Sequence, residues 1–186
     1  RPLLELLKSS RGTILVLILA LIPFVGNAQK IAVKTNLLEW ATVSPNISAE
    51  FVVSPTMSLD LTASFNEWTP YKNAKFDHFR IQPELRYWFQ RPMAQHFFGF
   101  TLMYTDYELL RKGEYHDGQG IGGGFTYGYD FVLSKRWNLE LTAGIGALYR
   151  FEKKYDEGTT IPSSNNANRW CLVPIKLGVT LSYVIF

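Results

Sequence analysis

The stretch MSLDLTASFN, Met57 to Asn66, alternates apolar and polar residues without a break. Successive side chains on a strand point to opposite faces, so this stretch carries one apolar and one polar face. The pattern recurs. Phe79, Ile81, Leu85, Tyr87 and Phe89 alternate with His78, Arg80, Gln82, Glu84 and Arg86, and from Trp137 to Phe151 every second residue is Trp, Leu, Ala, Ile, Tyr or Phe. In a soluble sandwich such a face turns to a protein core. In a membrane barrel it turns to lipid, and the polar face lines the interior.

Eight segments read as strands: Lys30–Ala41, Ile47–Val53, Met57–Trp68, Asp77–Phe89, His96–Tyr107, Gln119–Val132, Trp137–Phe151 and Trp170–Phe186. Pro83 falls inside the fourth, where a proline predicts a bulge or irregularity. The connections SPT, QRPMAQ and LSKR are tight, whereas those after strands three, five and seven are longer and polar; TVSPN is a short exception. Bacterial barrels sort their loops this way, with short periplasmic turns and longer outer loops. Most of the segments exceed the usual strand of globular sheets and suit a bilayer crossing. Trp40, Trp68 and Trp170 lie toward one rim, and Tyr87, Phe89, Phe97 and Trp137 toward the other, as two membrane-interface girdles would. The expected fold is all-β, an eight-stranded antiparallel up-and-down transmembrane β-barrel.

Upstream of the strands, Arg1, Lys8 and Arg11 precede the apolar run TILVLILALIPFV and then GNAQ. A basic start, a short apolar run and small residues describe a secretory signal peptide, here residues 1–28, cut after Ala28. The run is too short to span a bilayer as a helix. Residues 29–186 then form the barrel domain, in the bacterial outer membrane. Without residues 1–28 the chain has 16 basic and 15 acidic residues, a net charge of +1, which gives no electrostatic case for nucleic acid. Cys171 is the lone cysteine, so no internal disulfide supports the fold.

Parity places ten charges on the inner face: the acids Glu50, Asp60, Glu84, Asp130 and Glu140, and the bases Lys34, Arg80, Arg86, Arg150 and Lys176. Asn36 shares that face. An eight-stranded barrel is only wide enough for its side chains to fill, and buried charges need partners. These ten are expected to form a mutually paired plug; an ion path is the alternative.

Chemistry leaves fainter marks. GQGIGG, Gly118 to Gly123, matches a dinucleotide fingerprint in letters, but a strand-like segment follows it where a helix is required. These glycines read instead as inward space beside bulky neighbours or as strand bends. His78, His96 and His116 are not spaced for metal ligation. No cofactor or metal is expected. An enzyme centred on His78, with Ser64 or Asp77 beside it, or on His116 next to Asp117, is the catalytic alternative. The outer stretches YKNAKFD, LLRKGEYHDG and EKKYDEGTTIPSSNNANR suit protein or polysaccharide contacts, which keeps a loop-mediated adhesin open.

Three stretches, KTNLLEWATVSPNISAEF, QPELRYWF and YGYDFVLSKRWNLELTAGIG, together resemble a family of small barrel-like proteins of Bacteroidota labelled as a domain of unknown function. The resemblance implies an outer-membrane protein, often encoded near fimbrial or surface-assembly genes, and so an accessory of such an assembly. It supplies no catalytic residue. The expected partners are outer-membrane lipid, the barrel insertion machinery and surface-assembly proteins met through the outer loops. The expected role is structural or interactive, and a lipid- or peptide-modifying enzyme is the runner-up. Phe186 offers the terminal aromatic that insertion machinery reads, yet it is one position out of phase with Leu177, Val179, Leu181, Tyr183 and Ile185.

Overall fold

The computed structural model of the chain describes residues 30–71, 74–111, 114–156 and 169–185, with side chains described over 30–66, 78–107, 118–151 and 169–185. Eight strands follow one another: β1 (Ile31–Asn36), β2 (Asn46–Ser54), β3 (Met57–Tyr71), β4 (Ala74–Trp88), β5 (Gln95–Arg111), β6 (Glu114–Val132), β7 (Trp137–Asp156) and β8 (Arg169–Val184). Each pairs antiparallel with its sequence neighbour, and β1 closes on β8. The fold is an up-and-down closed barrel. Residues 1–28, read as a signal peptide, lie outside the described residues.

The faces sort by parity. Phe65, Ile81, Leu85, Phe98, Phe100, Leu102, Ile121, Phe125, Leu141, Ile145 and Leu177 stand exposed outside, while Lys34, Glu50, Asp60, Glu84, Arg86 and Glu140 are buried inside. Burial in a soluble domain runs the other way.

The first strand is shorter than its sequence suggests. After Asn36 the chain turns into a five-residue helix, α1 (Leu37–Ala41), because the Asn36 side chain caps it, accepting from the Leu38 backbone N–H at 3.1 Å. The chain leaves α1 through Val43 N–H donating to Trp40 O at 3.0 Å, with Val43 itself at a left-handed φ of 59°.

Pro83 brings no bulge. The β3 side keeps one register from Ser58↔Arg86 through Leu61↔Pro83 to Trp68↔Phe76. On the β5 side pairing lapses only between Ile81↔Tyr104 and Glu84↔Thr101, without a shift, and Thr101 Oγ1 donates to Pro83 O at 3.1 Å. The ladder thus tolerates one missing N–H where a side chain serves the proline carbonyl. The proline that does sit at a register shift is Pro174: β7–β8 pairing moves from Gly144↔Lys176 to Gly146↔Val173. The consecutive residues Ile175 and Lys176 both turn inward there, with Ile175 buried and Lys176 Nζ on Glu84. Outward parity therefore switches from Trp170 and Leu172 to Leu177. β8 stops at Val184, before the out-of-phase Phe186, which lies outside the described residues.

Two stretches expected as outer loops are mostly strand. β3 and β4 run on to Tyr71 and Ala74, and β5 and β6 to Arg111 and Glu114, leaving residues 72–73 and 112–113 between them. The wall is nevertheless uneven. β1 meets β8 only from Ala32↔Val184 to Asn36↔Thr180, and β2 meets β3 only up to Asn46↔Ser64, extended by Phe65 N–H to Pro45 O at 3.1 Å. Beyond these points β3 and β8 are paired on one side only among the described residues. The wall steps down over β1 and β2, and α1 with residues 42–45 lies in the step. On its β8 side Asn36 seals the floor, donating to Leu177 O at 3.0 Å and accepting from Val179 N–H at 3.2 Å.

On the opposite wall glycine permits close approach. A Cβ on Gly124 would stand 2.3 Å from Ile145 O and 2.6 Å from Gly146 Cα, so β6 and β7 come closer there than any side chain allows. Gly118, Gly120 and Gly122, part of the dinucleotide-like motif, lie on β6 against Tyr107 and Leu148.

Candidate functional site

The interior is built in layers. Pairing sets Glu50 of β2 opposite Asp60 of β3, and Asp60 opposite Glu84 of β4. Three like charges in one row across adjacent strands repel each other and demand cations. Arg86, two residues from Glu84 on the same face, supplies the first. Its Nε donates to Glu84 at 2.7 Å, its Nη1 to Glu50 at 3.1 Å and its Nη2 reaches Asp60 at 3.1 Å. The same guanidinium grips Glu140 of β7 with bonds of 2.8 and 3.0 Å. Lys34 of β1 adds contacts to Glu140 at 2.7 Å, to Asp60 at 3.4 Å and to Glu50. Lys176 of β8 donates to Glu84 at 2.6 Å.

Hydroxyls complete the shell. Ser58 donates to Glu50 at 2.5 Å, Thr142 to Glu140 at 2.7 Å, Thr126 to Glu84 at 3.1 Å, and Ser48 and Thr62 to Asp60. Each ion taken out of water costs several kcal/mol unless its bonds are replaced, and this shell replaces them.

Seven of the ten charges anticipated on the inner face meet in this cluster: Lys34, Glu50, Asp60, Glu84, Arg86, Glu140 and Lys176. The other three stand apart. Asp130 is buried and accepts from Asn138 Nδ2 at 2.9 Å. Arg80 pairs with Glu39 of α1 at 2.5 Å, and Arg150 Nε donates to the Tyr107 hydroxyl at 2.9 Å. Glu39 escaped the sequence reading because it sat in a segment read as strand; its neighbour Asn36, a good helix cap, was the available signal.

Below the charges, at the end where β1 begins and β8 stops, an apolar layer of Trp88, Phe97, Met93 and Ala94 closes the lumen. Trp88 and Phe97 pack with ring centroids 4.7 Å apart and planes tilted by 45°, Trp88 Nε1 donates to Ser58 at 2.7 Å, and the Arg86 guanidinium lies 4.4 Å from the centre of the Phe97 ring. Phe97 is thus not a membrane-interface aromatic: it is 0% exposed. It precedes the outward Phe98, and the double Phe concealed the phase; Trp88 shares its parity with Arg86 and could have been found. Trp40, Tyr87, Phe89, Trp137 and Trp170 do stand on the outside. The Trp68 side chain lies outside the described residues.

Above the charges, toward α1, a cavity remains, bounded by Asn36, Glu39, Gln82 and Lys176. It offers about 20 Å³ to the centre of a water molecule, enough for one or two waters.

The histidine pairs expected of an enzyme are only partly described. His78 turns inward on β4 with Asn66 as its register partner, and the buried Ser64 hydroxyl makes no hydrogen bond to it. The side chains of Asp77, His116 and Asp117 lie outside the described residues.

A closed eight-stranded antiparallel barrel, apolar without and ion-paired within, is the class of protein these features define. The chain belongs to the DUF3575 family, described as a protein of unknown function, whose family model matches residues 13–185. No curated protein matches it.

Proposed function

We propose that this protein is a non-conducting outer-membrane anchor of Bacteroidota type, whose outer end engages cell-surface, fimbria-like assembly partners. The observation that carries the reading is the inverted polarity around a filled lumen: hydrocarbon side chains outside, paired ions and packed aromatics inside. A contiguous apolar surface of this extent belongs against lipid or protein. Its height fits a bilayer. Phe79 on β4 and Phe89, one residue past its end, are ten residues apart with the same outward parity, which at a rise of about 3.4 Å and a tilt of about 40° spans roughly 26 Å, close to the apolar band of such barrels. Trp40 and Trp170 near one rim, with Tyr87, Phe89 and Trp137 near the other, supply the aromatic borders. The apolar layer and the charge layer argue against solute passage.

Cell fractionation and planar-bilayer recording test this together. The protein is expected in the outer-membrane fraction, shifting on gels upon heating, without conductance steps, and retaining a surface-assembly protein through gentle detergent extraction. Recovery from the soluble periplasm would overturn the membrane reading. Unitary currents would overturn the anchor, and a barrel recovered without a partner would remove the assembly role.

A further inference from the structure

At the end where β1 begins and β8 stops, the rim carries four exposed cations, Lys30, Arg91, Lys135 and Arg136. The described residues of that rim, 30–31, 53–57, 89–96, 131–137 and 183–185, include no Asp or Glu. The acids further inside, Glu50, Asp130 and Glu140, are buried in the lumen. Lys30 leads into β1, Lys135 and Arg136 lie in the turn between β6 and β7, and Arg91 lies in the turn between β4 and β5. The cations thus follow one arc of the rim, from β4 through β8 to β1. The sequence at the other ends of the strands mixes both signs, as in RKGEYHDG and EKKYDEG.

The turns that bear these cations are pinned. Leu133 and Ser134 N–H both donate to Trp137 O, at 2.9 and 3.0 Å, and Trp137 N–H donates to Ser134 Oγ at 3.2 Å. The Arg91 turn closes through an Arg91↔Ala94 bridge, and Asn138 Nδ2 holds it by donating to Met93 O at 2.9 Å. Arg136 Nη1 donates to the Tyr183 hydroxyl at 3.0 Å, and Tyr183 packs edge to face on Trp137 with centroids 5.0 Å apart. Trp137 borders the apolar outer surface, and Val132 and Leu133, 50% and 60% exposed, carry that surface up to the same turn. The Arg136 guanidinium therefore stands where the apolar surface ends.

Like charges fixed along one arc repel, and an anionic surface facing them relieves that cost. We propose that this arc rests on the phosphates of anionic phospholipids in the leaflet at this end of the barrel. The proposal rests on the membrane reading above. A lipid fits because the cations begin where the surface assigned to the bilayer ends. Their long stems follow apolar surface while the charged heads reach the phosphate layer.

The full chain is inserted into nanodiscs of phosphatidylcholine containing a minor share of phosphatidylglycerol, and retained lipids are counted by native mass spectrometry. Phosphatidylglycerol is expected above its share in the disc. A cation near an anionic surface is worth about a fivefold preference, so Arg136→Gln should lower the enrichment by about that factor. Arg91→Gln, Lys135→Gln and Arg136→Gln together should abolish it, whereas Arg136→Lys, which keeps the charge, should retain it. Lys135→Gln alone, at an exposed turn position, keeps the test alive if the Arg136 variants fail to fold. Arg169→Gln, exposed at the other end, should change nothing, and a loss equal to that of Arg136→Gln would overturn the arc. Retention matching the disc composition, or undiminished in the triple variant, overturns it too. Displacement by inorganic phosphate but not by chloride of equal ionic strength would reveal a free-anion site and overturn the lipid. Failure to enter discs overturns the membrane reading and this proposal together; insertion without enrichment overturns this proposal alone.

Discussion

Arg86 and Glu140 meet inside the lumen, from the fourth and seventh strands, through two hydrogen bonds of 2.8 and 3.0 Å. The pair is the hub of a cluster in which Lys34, Arg86 and Lys176 serve Glu50, Asp60, Glu84 and Glu140, so acids outnumber bases.

That imbalance makes the two partners unequal. Arg86→Gln leaves four buried acids to two lysines and should cost about 3–5 kcal/mol, the usual consequence of stranding buried charge. Glu140→Gln removes an acid from an acid-rich set and should cost distinctly less. Urea unfolding in lipid vesicles, followed by tryptophan fluorescence, compares them; equal losses would contradict this account.

The glycines of the sixth strand divide in the same way. Gly124→Ala drives a methyl into backbone at 2.3 Å and should destabilise by about 1–3 kcal/mol. Gly123→Ala meets only a Leu102 methyl at 3.2 Å and Thr101 O at 3.4 Å, so it should be close to neutral. The same unfolding assay separates the two, and a neutral Gly124→Ala would refute the close approach of the sixth and seventh strands.

Phe97 and Phe98 are neighbours with opposite surroundings. Phe97→Ala empties the apolar layer under Arg86 and should cost about 3–5 kcal/mol. Phe98→Ala removes a ring that is 44% exposed and should cost markedly less. The unfolding midpoints of the two variants in one lipid check this, and the reverse order would put Phe97 outside after all.

Val43 holds a left-handed φ of 59°, unfavourable for a β-branched side chain. Val43→Gly should therefore stabilise the folded barrel, by no more than about 1 kcal/mol once the greater freedom of unfolded glycine is counted. A lowered unfolding midpoint would show that contacts of the valine outweigh its strain.

Much of the architecture could be read from residues 47–66 and 77–151, where one face lies in apolar surroundings and the other among ions. The contrast between faces is what creates a period of two. Toward the α1 end it fades: Glu67, Asp77, Glu108 and Asp117 continue the ladder, although Phe76 and Leu109 no longer alternate with polar residues in a regular way. Backbone pairing needs no such contrast, so strands outlast their own signal. Likewise ten inward charges were legible by parity, but which of them would meet depended on register. Lys34 and Arg86 converge because they flank the Glu50–Asp60–Glu84 row, while Arg80, four residues from Glu84, is drawn to a helix the alternation did not announce.

The ion cluster also ties the last step of assembly to the first strand. Lys34 and Glu140 are 106 residues apart in sequence, and their bond forms only when the ends of the chain come together. Until closure, Glu140 lacks its Lys34 partner in a narrowing, water-poor interior. Half-built intermediates are thus penalised electrostatically as well as by their open edges, and chain closure and charge neutralisation become a single cooperative event.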